Sequence, residues 1–146
     1  NNKAYEAALE VYEPLYPLLK HKPEFLFEAA QSLSKTGQYE KANEYLERAV
    51  LLSSDPMLYY VMAKNEQCLG EYRQAEKHLL HAIDILPERI YPYYLLMNLY
   101  TEPSYFQPAK LKMAIDSVLT KKPKVESSAI KEMKEKARSM LNNTSI

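Results

Sequence analysis

The stretch from Pro56 to Arg89, PMLYYVMAKNEQCLGEYRQAEKHLLHAIDILPER, decides the fold of this chain. In its first half, apolar residues recur every three or four positions, and Gly70 ends the pattern where a left-handed backbone conformation costs little. In its second half, a similar apolar stripe ends at Pro87. Small residues occupy the positions where the two halves would face each other: Ala63, Ala75 and Ala82. Because small side chains let two helix backbones approach closely, the stretch predicts a tightly packed helix pair.

The same pattern recurs along the chain. Five residues of the central stretch have counterparts of the same type 33 positions earlier: Gly37, Tyr39, Ala42, Leu46 and Ala49. A period of this length is typical of tandem helical hairpins. Downstream, the spacing is 34 and then 36, which predicts an insertion of Gln107 and Pro108 in the third inter-helix turn. Upstream, the spacing predicts that the chain begins at the second helix of a repeat, as a segment of a longer protein.

The period and these residues together resemble the tetratricopeptide repeat (TPR) family. The resemblance implies an all-α fold, a right-handed TPR-type helical-hairpin solenoid of about three and a half repeats plus a C-terminal capping helix. Glu66 departs from the pattern, because the family usually has an aromatic residue there. We expect a single TPR-like domain over residues 1–146. Its parts are the second helix of a partial repeat (1–22), two repeats (23–55 and 56–89), a divergent repeat (90–123), and a capping helix with a tail from Asn142 onward (124–146).

The opening helix contains two prolines and an apolar face. Pro14 and Pro17 each remove a helical hydrogen bond, so this helix is expected to kink or end early. Without a first helix to pack against, its apolar face is expected to stay uncovered and to support weak self-association. That face consists of Tyr5, Leu9, Tyr12 and Tyr16.

Composition excludes several function classes. Lys and Arg number 19 and Asp and Glu also number 19, so no basic excess favours nucleic acid. No apolar run reaches the roughly 20 residues that would span a membrane, so direct membrane insertion of this segment is not expected. Positive charge is concentrated at the end of the chain, since residues 110–146 contain nine Lys and Arg against four Asp and Glu.

The sequence contains no motif that would carry catalysis. A Gly-rich phosphate loop, paired cysteines and a nucleophile motif are all missing, so no catalytic residue, cofactor or enzyme activity is predicted for the segment. His78 and His81 share a helix face, but a third metal ligand is not evident. We interpret them as surface histidines and predict no metal site.

The first helices of successive repeats provide the candidate binding face. In a stack of this type their free faces line a groove, and aromatic, amide and amine side chains recur there with the period. Such a groove suits an extended or helical peptide. The predicted peptide-groove residues are Phe27, Gln31, Lys35, Tyr60, Lys64, Gln67, Tyr91, Tyr94 and Asn98. The alternative is that the aromatic rings among them pack into the core.

A narrower resemblance concerns the parent protein. Four runs, LSKTGQYEKANEYLERAV, SSDPMLYYVMAKNEQCLGEY, RIYPYYLLMNLY and KPKVESSAIKEMKEKA, resemble the soluble C-terminal TPR tail of bacterial O-antigen ligase or polymerase-like membrane proteins. This resemblance implies a non-catalytic protein–protein interaction scaffold, tethered to the bacterial cytoplasmic membrane through a parent that handles surface polysaccharide. The alternative is a free-standing TPR adaptor or a self-associating structural module.

Overall fold

The computed structural model describes residues 2–143, and these residues form helices joined by short turns. The predicted tail from Asn142 onward therefore lies largely outside the described residues. In chain order the helices are α1 (Asn2–Leu19), α2 (Pro23–Lys35), α3 (Tyr39–Val50), α4 (Pro56–Cys68), α5 (Tyr72–Ile85), α6 (Tyr91–Tyr100), α7 (Pro108–Thr120) and α8 (Ser128–Asn143). A single turn of 3-10 helix at Pro103–Tyr105 lies between α6 and α7. The predicted all-α, helical-hairpin class is confirmed.

Internal contacts group the chain into two compact units, one ending at His78 and one beginning at Leu79. The boundary falls inside α5, so each unit contains part of that helix. The prediction of one domain over residues 1–146 stays a prediction.

The first unit is built around alanine and leucine side chains that are completely buried. These residues come from α2 and α3, which pack against each other, while α1 and α4 cover the outer faces of this pair. The fully buried side chains are Leu26, Ala29, Ala30, Leu33, Ala42, Leu46 and Ala49. Small residues at the crossing points leave room for the backbones of α2 and α3 to approach closely.

Two buried asparagines connect neighbouring hairpins of the first unit. Asn65 on α4 donates through Nδ2 to Oδ1 of Asn43 on α3, at 2.8 Å. Asn43 in turn donates through Nδ2 to the backbone oxygen of Met62, at 3.2 Å. Both amides are almost fully buried, and these hydrogen bonds offset part of the cost of burying them.

Glycine ends the first helix of two hairpins, as the sequence predicted. Gly37 and Gly70 have φ angles of 82° and 76°, a conformation that strains residues with a Cβ atom. The following residue closes each turn in the same way: the N–H of Gln38 donates to the oxygen of Leu33, and the N–H of Glu71 donates to that of Glu66, both at 2.8 Å.

The prolines were expected to kink the opening helix or to end it early, and the early end was wrong. α1 runs without interruption from Asn2 to Leu19 and includes Pro14 and Pro17. Packing explains this continuity, because Leu9 is buried and Leu15 and Leu19 contact the core of the first unit. Tertiary contacts from Leu9 to Leu19 compensate for the missing backbone hydrogen bonds.

The second unit has its own buried core, formed by α6, α7 and α8. Leu111, Ile115 and Val118 on α7 are fully buried, and Ala137 is the buried residue of α8. α8 packs mainly on α7 and to a lesser extent on α6. Lys134 anchors it, because its Nζ donates to the backbone oxygen of Lys121 at 3.0 Å, just beyond the end of α7.

Candidate protein-interaction site

The predicted groove residues of the first unit differ in how much surface they offer. Gln31 and Lys35 on α2 and Lys64 on α4 are exposed, and Gln67 is half-buried. Phe27 is also half-buried, because its ring packs against the core of the unit. The polar members of the predicted face are therefore accessible, whereas Phe27 divides its surface between core and solvent.

Tyr60 is the most deeply buried residue of the predicted set. Only 5% of its surface is exposed, so the ring offers a ligand very little area. This burial favours the alternative reading in which aromatic residues of the first helices act as core. Its assignment to the groove stays a prediction that substitution can decide.

The predicted groove residues of the second unit lie together on α6. The rings of Tyr91 and Tyr94 stack with centroids 6.4 Å apart and planes inclined by 23°. Lys136 on α8 places Nζ over the ring of Tyr94, at 5.5 Å from its centroid. The same Nζ donates a hydrogen bond of 2.8 Å to Oδ1 of Asn98. An aromatic face and an amide oxygen on α6 thus hold one cationic side chain.

Sequence reasoning missed Lys136. It belongs to a run of alternating charges on α8 that reads as a solvated helix face. It is 38 residues from Asn98 in sequence, and no periodic signal connects the two residues. Only the packing of α8 near α6 shows that this lysine, among several on the helix, reaches the predicted site.

An open cleft lies between α1 and α2, has a volume of about 380 Å³ and shares Gln31 with the predicted groove. Tyr12, at its edge, donates a 3.4 Å hydrogen bond to Oε2 of Glu28. Burial, followed by the charge of the Glu28 carboxylate, raises the pKa of the Tyr12 phenol. The residues that line the cleft are Ala4, Tyr5, Ala8, Tyr12, Glu28, Gln31 and Ser32.

The apolar face predicted for α1 is largely covered inside the first unit. Leu9 is only 6% exposed. The ring of Tyr12 meets that of Phe25 edge-on at 5.8 Å, and the ring of Tyr16 lies 4.9 Å from that of Tyr45. The expectation of an uncovered face was therefore wrong for most of this set, because α1 packs against α2.

Glu66 stands where the repeat pattern usually has an aromatic residue, and it forms a buried pair with His78. Oε1 of Glu66 lies 2.7 Å from Nδ1 of His78, and Glu66 is 4% exposed. The amide nitrogen of Gln74 lies 3.3 Å from Nε2 of His78. Because an amide nitrogen can only donate, this geometry places the ring proton on Nδ1, which donates to Glu66.

This pair corrects the interpretation of His78 as a surface residue. Its side chain is only 17% exposed, while His81 is exposed. Among residues 2–143, no group of three or more potential ligands could hold a metal ion. The contact of His78 with Glu66 joins the two helices of one hairpin, α4 and α5.

We expect His78→Ala to lower the free energy of unfolding by about 2 kcal/mol, the middle of the range for a hydrogen bond to a charged group. The reason is that the substitution removes the hydrogen-bond donor from a carboxylate that is almost fully buried. Chemical denaturation measures the loss, and His21→Ala, at an exposed turn position, is the matched control. Equal stability of the two variants would show that the pair contributes nothing.

The fold defines a chain of helical hairpins of the tetratricopeptide type. The chain belongs to the family described as "Anaphase-promoting complex, cyclosome, subunit 3", which matches residues 1–82. Tetratricopeptide repeat protein 21A of Mus musculus is 35% identical over 79 residues, which are 54% of this chain. The match spans only 6% of the length of that relative.

Solved structures of similar fold cover nearly the whole chain. The crystal structure of MamA superposes with a TM-score of 0.73 at 20% identity, over 92% of this chain and 77% of that one. The structure titled MamA 41-end, from Desulfovibrio magneticus RS-1, gives a TM-score of 0.70 at 18% identity, over 97% of this chain and 88% of that one. At this level of identity the likeness establishes the fold.

Within the described part of the chain, none of the helices has both the length and the apolar character needed to cross a membrane. This finding agrees with the hydropathy of the sequence.

Proposed function

We propose that this chain is a non-catalytic protein-interaction scaffold whose α6 face binds a partner segment through a basic side chain. The observation that carries the proposal is the contact of Lys136 with Tyr94 and Asn98. This contact supplies both halves of a lysine-binding arrangement, an aromatic face for the cation and an oxygen that accepts a hydrogen bond.

Other tyrosines of α6 support the preference for cations. Lys121 places Nζ 4.9 Å from the centroid of Tyr93, and Lys110 places Nζ 6.0 Å from that of Tyr100. An exposed cation–π contact contributes about 0.5–1 kcal/mol. A single contact of this kind is weak, so a partner would need several contacts along the groove residues to bind stably.

Lys136 competes with a partner for the site formed by Tyr94 and Asn98. It occupies the site in the free protein, so a partner lysine or arginine has to displace it. Removing the Lys136 amine leaves the aromatic face and the Asn98 oxygen available to the incoming side chain. The second unit would then bind basic peptides more tightly than the unaltered chain does.

A displayed library of random peptides tests this proposal. We expect the Lys136→Ala variant to select peptides enriched in Lys and Arg, with affinities about fivefold or more above those of the unaltered chain. Tyr94→Ala and Asn98→Ala, each combined with Lys136→Ala, should remove the gain. Lys112→Ala is the matched control, because Lys112 is exposed on α7. Selected peptides without basic residues, or equal binding by the Asn98→Ala double variant, would contradict the proposal.

The groove residues of the first unit extend the same proposal. Gln31, Lys35 and Lys64 are exposed and polar, and Phe27 and Gln67 keep part of their surface accessible. We propose that they contact the same class of extended or helical peptide. Alanine variants of the exposed members should weaken binding without lowering the melting temperature.

One proposal for the parent protein is a bacterial O-antigen ligase or polymerase-like protein that is tethered to the cytoplasmic membrane and has this chain as its tail. Only the sequence resemblance supports it. The family match and the similar structures support a TPR scaffold, and a free-standing TPR adaptor fits them equally well. The full natural reading frame discriminates between the two proposals. Several apolar spans of about 20 residues would support the first, and further repeats in their place would support the second.

A further inference from the structure

Two lysines, Lys134 and Lys136, hold α8 from different sides. They are two residues apart, and side chains at this spacing leave a helix in different directions. Lys136 reaches the site on α6. The Nζ of Lys134 instead donates to two backbone oxygens at the end of α7, those of Lys121 at 3.0 Å and Leu119 at 3.4 Å. α8 is therefore fixed to both of the helices on which it packs.

The contact of Lys134 is the more constrained of the two. Leu119 lies in the last turn of α7, where backbone oxygens have no partner within their own helix and carry partial negative charge. An ammonium group that donates to such oxygens forms charge-assisted hydrogen bonds. Lys134 is half-buried, whereas Lys136 is exposed, so water competes less for the Lys134 contacts. Lys134 therefore restricts the position of α8 more than Lys136 does.

Lys121 connects this anchor to the helix that carries the site. Its backbone oxygen accepts from Lys134, and its own Nζ lies 4.9 Å from the ring centroid of Tyr93 on α6. Tyr93 directly precedes Tyr94 in the chain. The contacts therefore form a closed path from α6 through the end of α7 to α8, and back to α6 through Lys136. Within this path, the place of Lys134 determines where Lys136 lies.

From these contacts we infer that Lys134 is a positioning residue for the α6 site. It acts through α8, because it holds this helix against the end of α7 in the place from which Lys136 reaches Tyr94 and Asn98. The inference rests on the proposed function, in which Lys136 and a basic partner compete for the site. It adds a means of regulation, since neutralising the Lys134 amine frees the site for a basic side chain without altering any residue that forms it.

Nuclear magnetic resonance of the 146-residue chain tests the inference without any peptide. The Nζ of Lys136 lies over the Tyr94 ring, so the ring current shifts the protons of the neighbouring CH2 group away from those of the exposed Lys112. Lys134→Met keeps the apolar stem and removes the donor, and we expect it to abolish most of this shift. Lys134→Arg restores the charge and the donors and should restore the shift. Lys131→Met, at an exposed position of α8, is the matched control and should leave the shift unchanged.

Peptide binding provides a second, separate measurement. Basic peptides selected with Lys136→Ala should bind Lys134→Met about twofold or more tightly than they bind the unaltered chain. The double variant of Lys134→Met with Lys136→Ala should bind no more tightly than Lys136→Ala, because Lys134 acts only through Lys136. Independent gains in the double variant would overturn the inference. So would an unchanged Lys136 signal in a folded Lys134→Met variant, or a shift lost equally in Lys134→Arg.

The two measurements separate this inference from the proposed function. If Lys136→Ala selects no basic peptides while Lys134→Met still loses the shift, the proposed function fails and the positioning role of Lys134 stands. Circular dichroism checks that each variant is folded, and Lys134→Gln takes the place of Lys134→Met in both measurements if the latter is not.

Discussion

Replacing Tyr60 by alanine is expected to lower the free energy of unfolding by about 3–5 kcal/mol, the range for removing a large aromatic side chain from a core. The physical reason is that only 5% of the residue is exposed, so the missing ring leaves a cavity that the surrounding helices fill incompletely. The melting temperature should fall by about 10 °C or more. Calorimetry or thermal circular dichroism measures this change.

Phe106→Ala is the control for Tyr60→Ala. Phe106 is an aromatic residue with 50% of its surface exposed, so its removal should cost well under 1 kcal/mol. If Tyr60→Ala leaves the melting temperature unchanged and instead weakens the binding of a selected peptide, Tyr60 is a groove residue, as the sequence predicted. A large loss of stability with unchanged binding per folded molecule assigns it to the core.

Replacing Leu111 by alanine is expected to destabilise the second unit by about 2–5 kcal/mol. Leu111 stands where the repeat pattern has a small residue, and its side chain is fully buried. Because the residue at this position is already large, the sequence itself predicts that alanine would lose packing. The structure supports the same expectation, because the leucine fills space in the core of α6, α7 and α8 that an alanine would leave empty.

Met113→Ala controls for the loss of a large apolar side chain from the same helix. Met113 is 70% exposed, so its truncation should change stability by less than about 0.5 kcal/mol. Chemical denaturation of both variants gives the comparison. Equal midpoints for the two would mean that α7 can shift to fill the site of Leu111, and that packing there is loose.

The fold could be predicted because its determinants are local and periodic. Gly37 and Gly70 end their helices by backbone conformation, and alanines at a fixed spacing mark the helix crossings. The continuity of α1 could not be predicted in this way. Pro14 and Pro17 have strong local effects, and the contacts of Leu15 and Leu19 that outweigh them belong to the tertiary structure.

The candidate site was less predictable because its geometry depends on contacts between distant residues. The period placed Tyr94 and Asn98 on one helix face, but the lysine that reaches them comes from a helix with no repeat signal. In the same way, the sequence shows Glu66 only as a departure from the repeat pattern, and the structure shows that it pairs with His78. Periodicity identifies the face of a helix, and only packing identifies what covers that face.

The Glu66–His78 and Asn43–Asn65 contacts of the first unit have different consequences for recombining repeats. Glu66 and His78 lie on the two helices of one hairpin, so a hairpin transplanted whole into another array brings its own counterpart for the carboxylate. Asn43 and Asn65 lie on different hairpins, so the same transplant would separate them. Designed or natural shuffling of this array should therefore preserve the order of the hairpins from α2 to α5. A graft that begins at α4 needs an amide acceptor on the preceding helix.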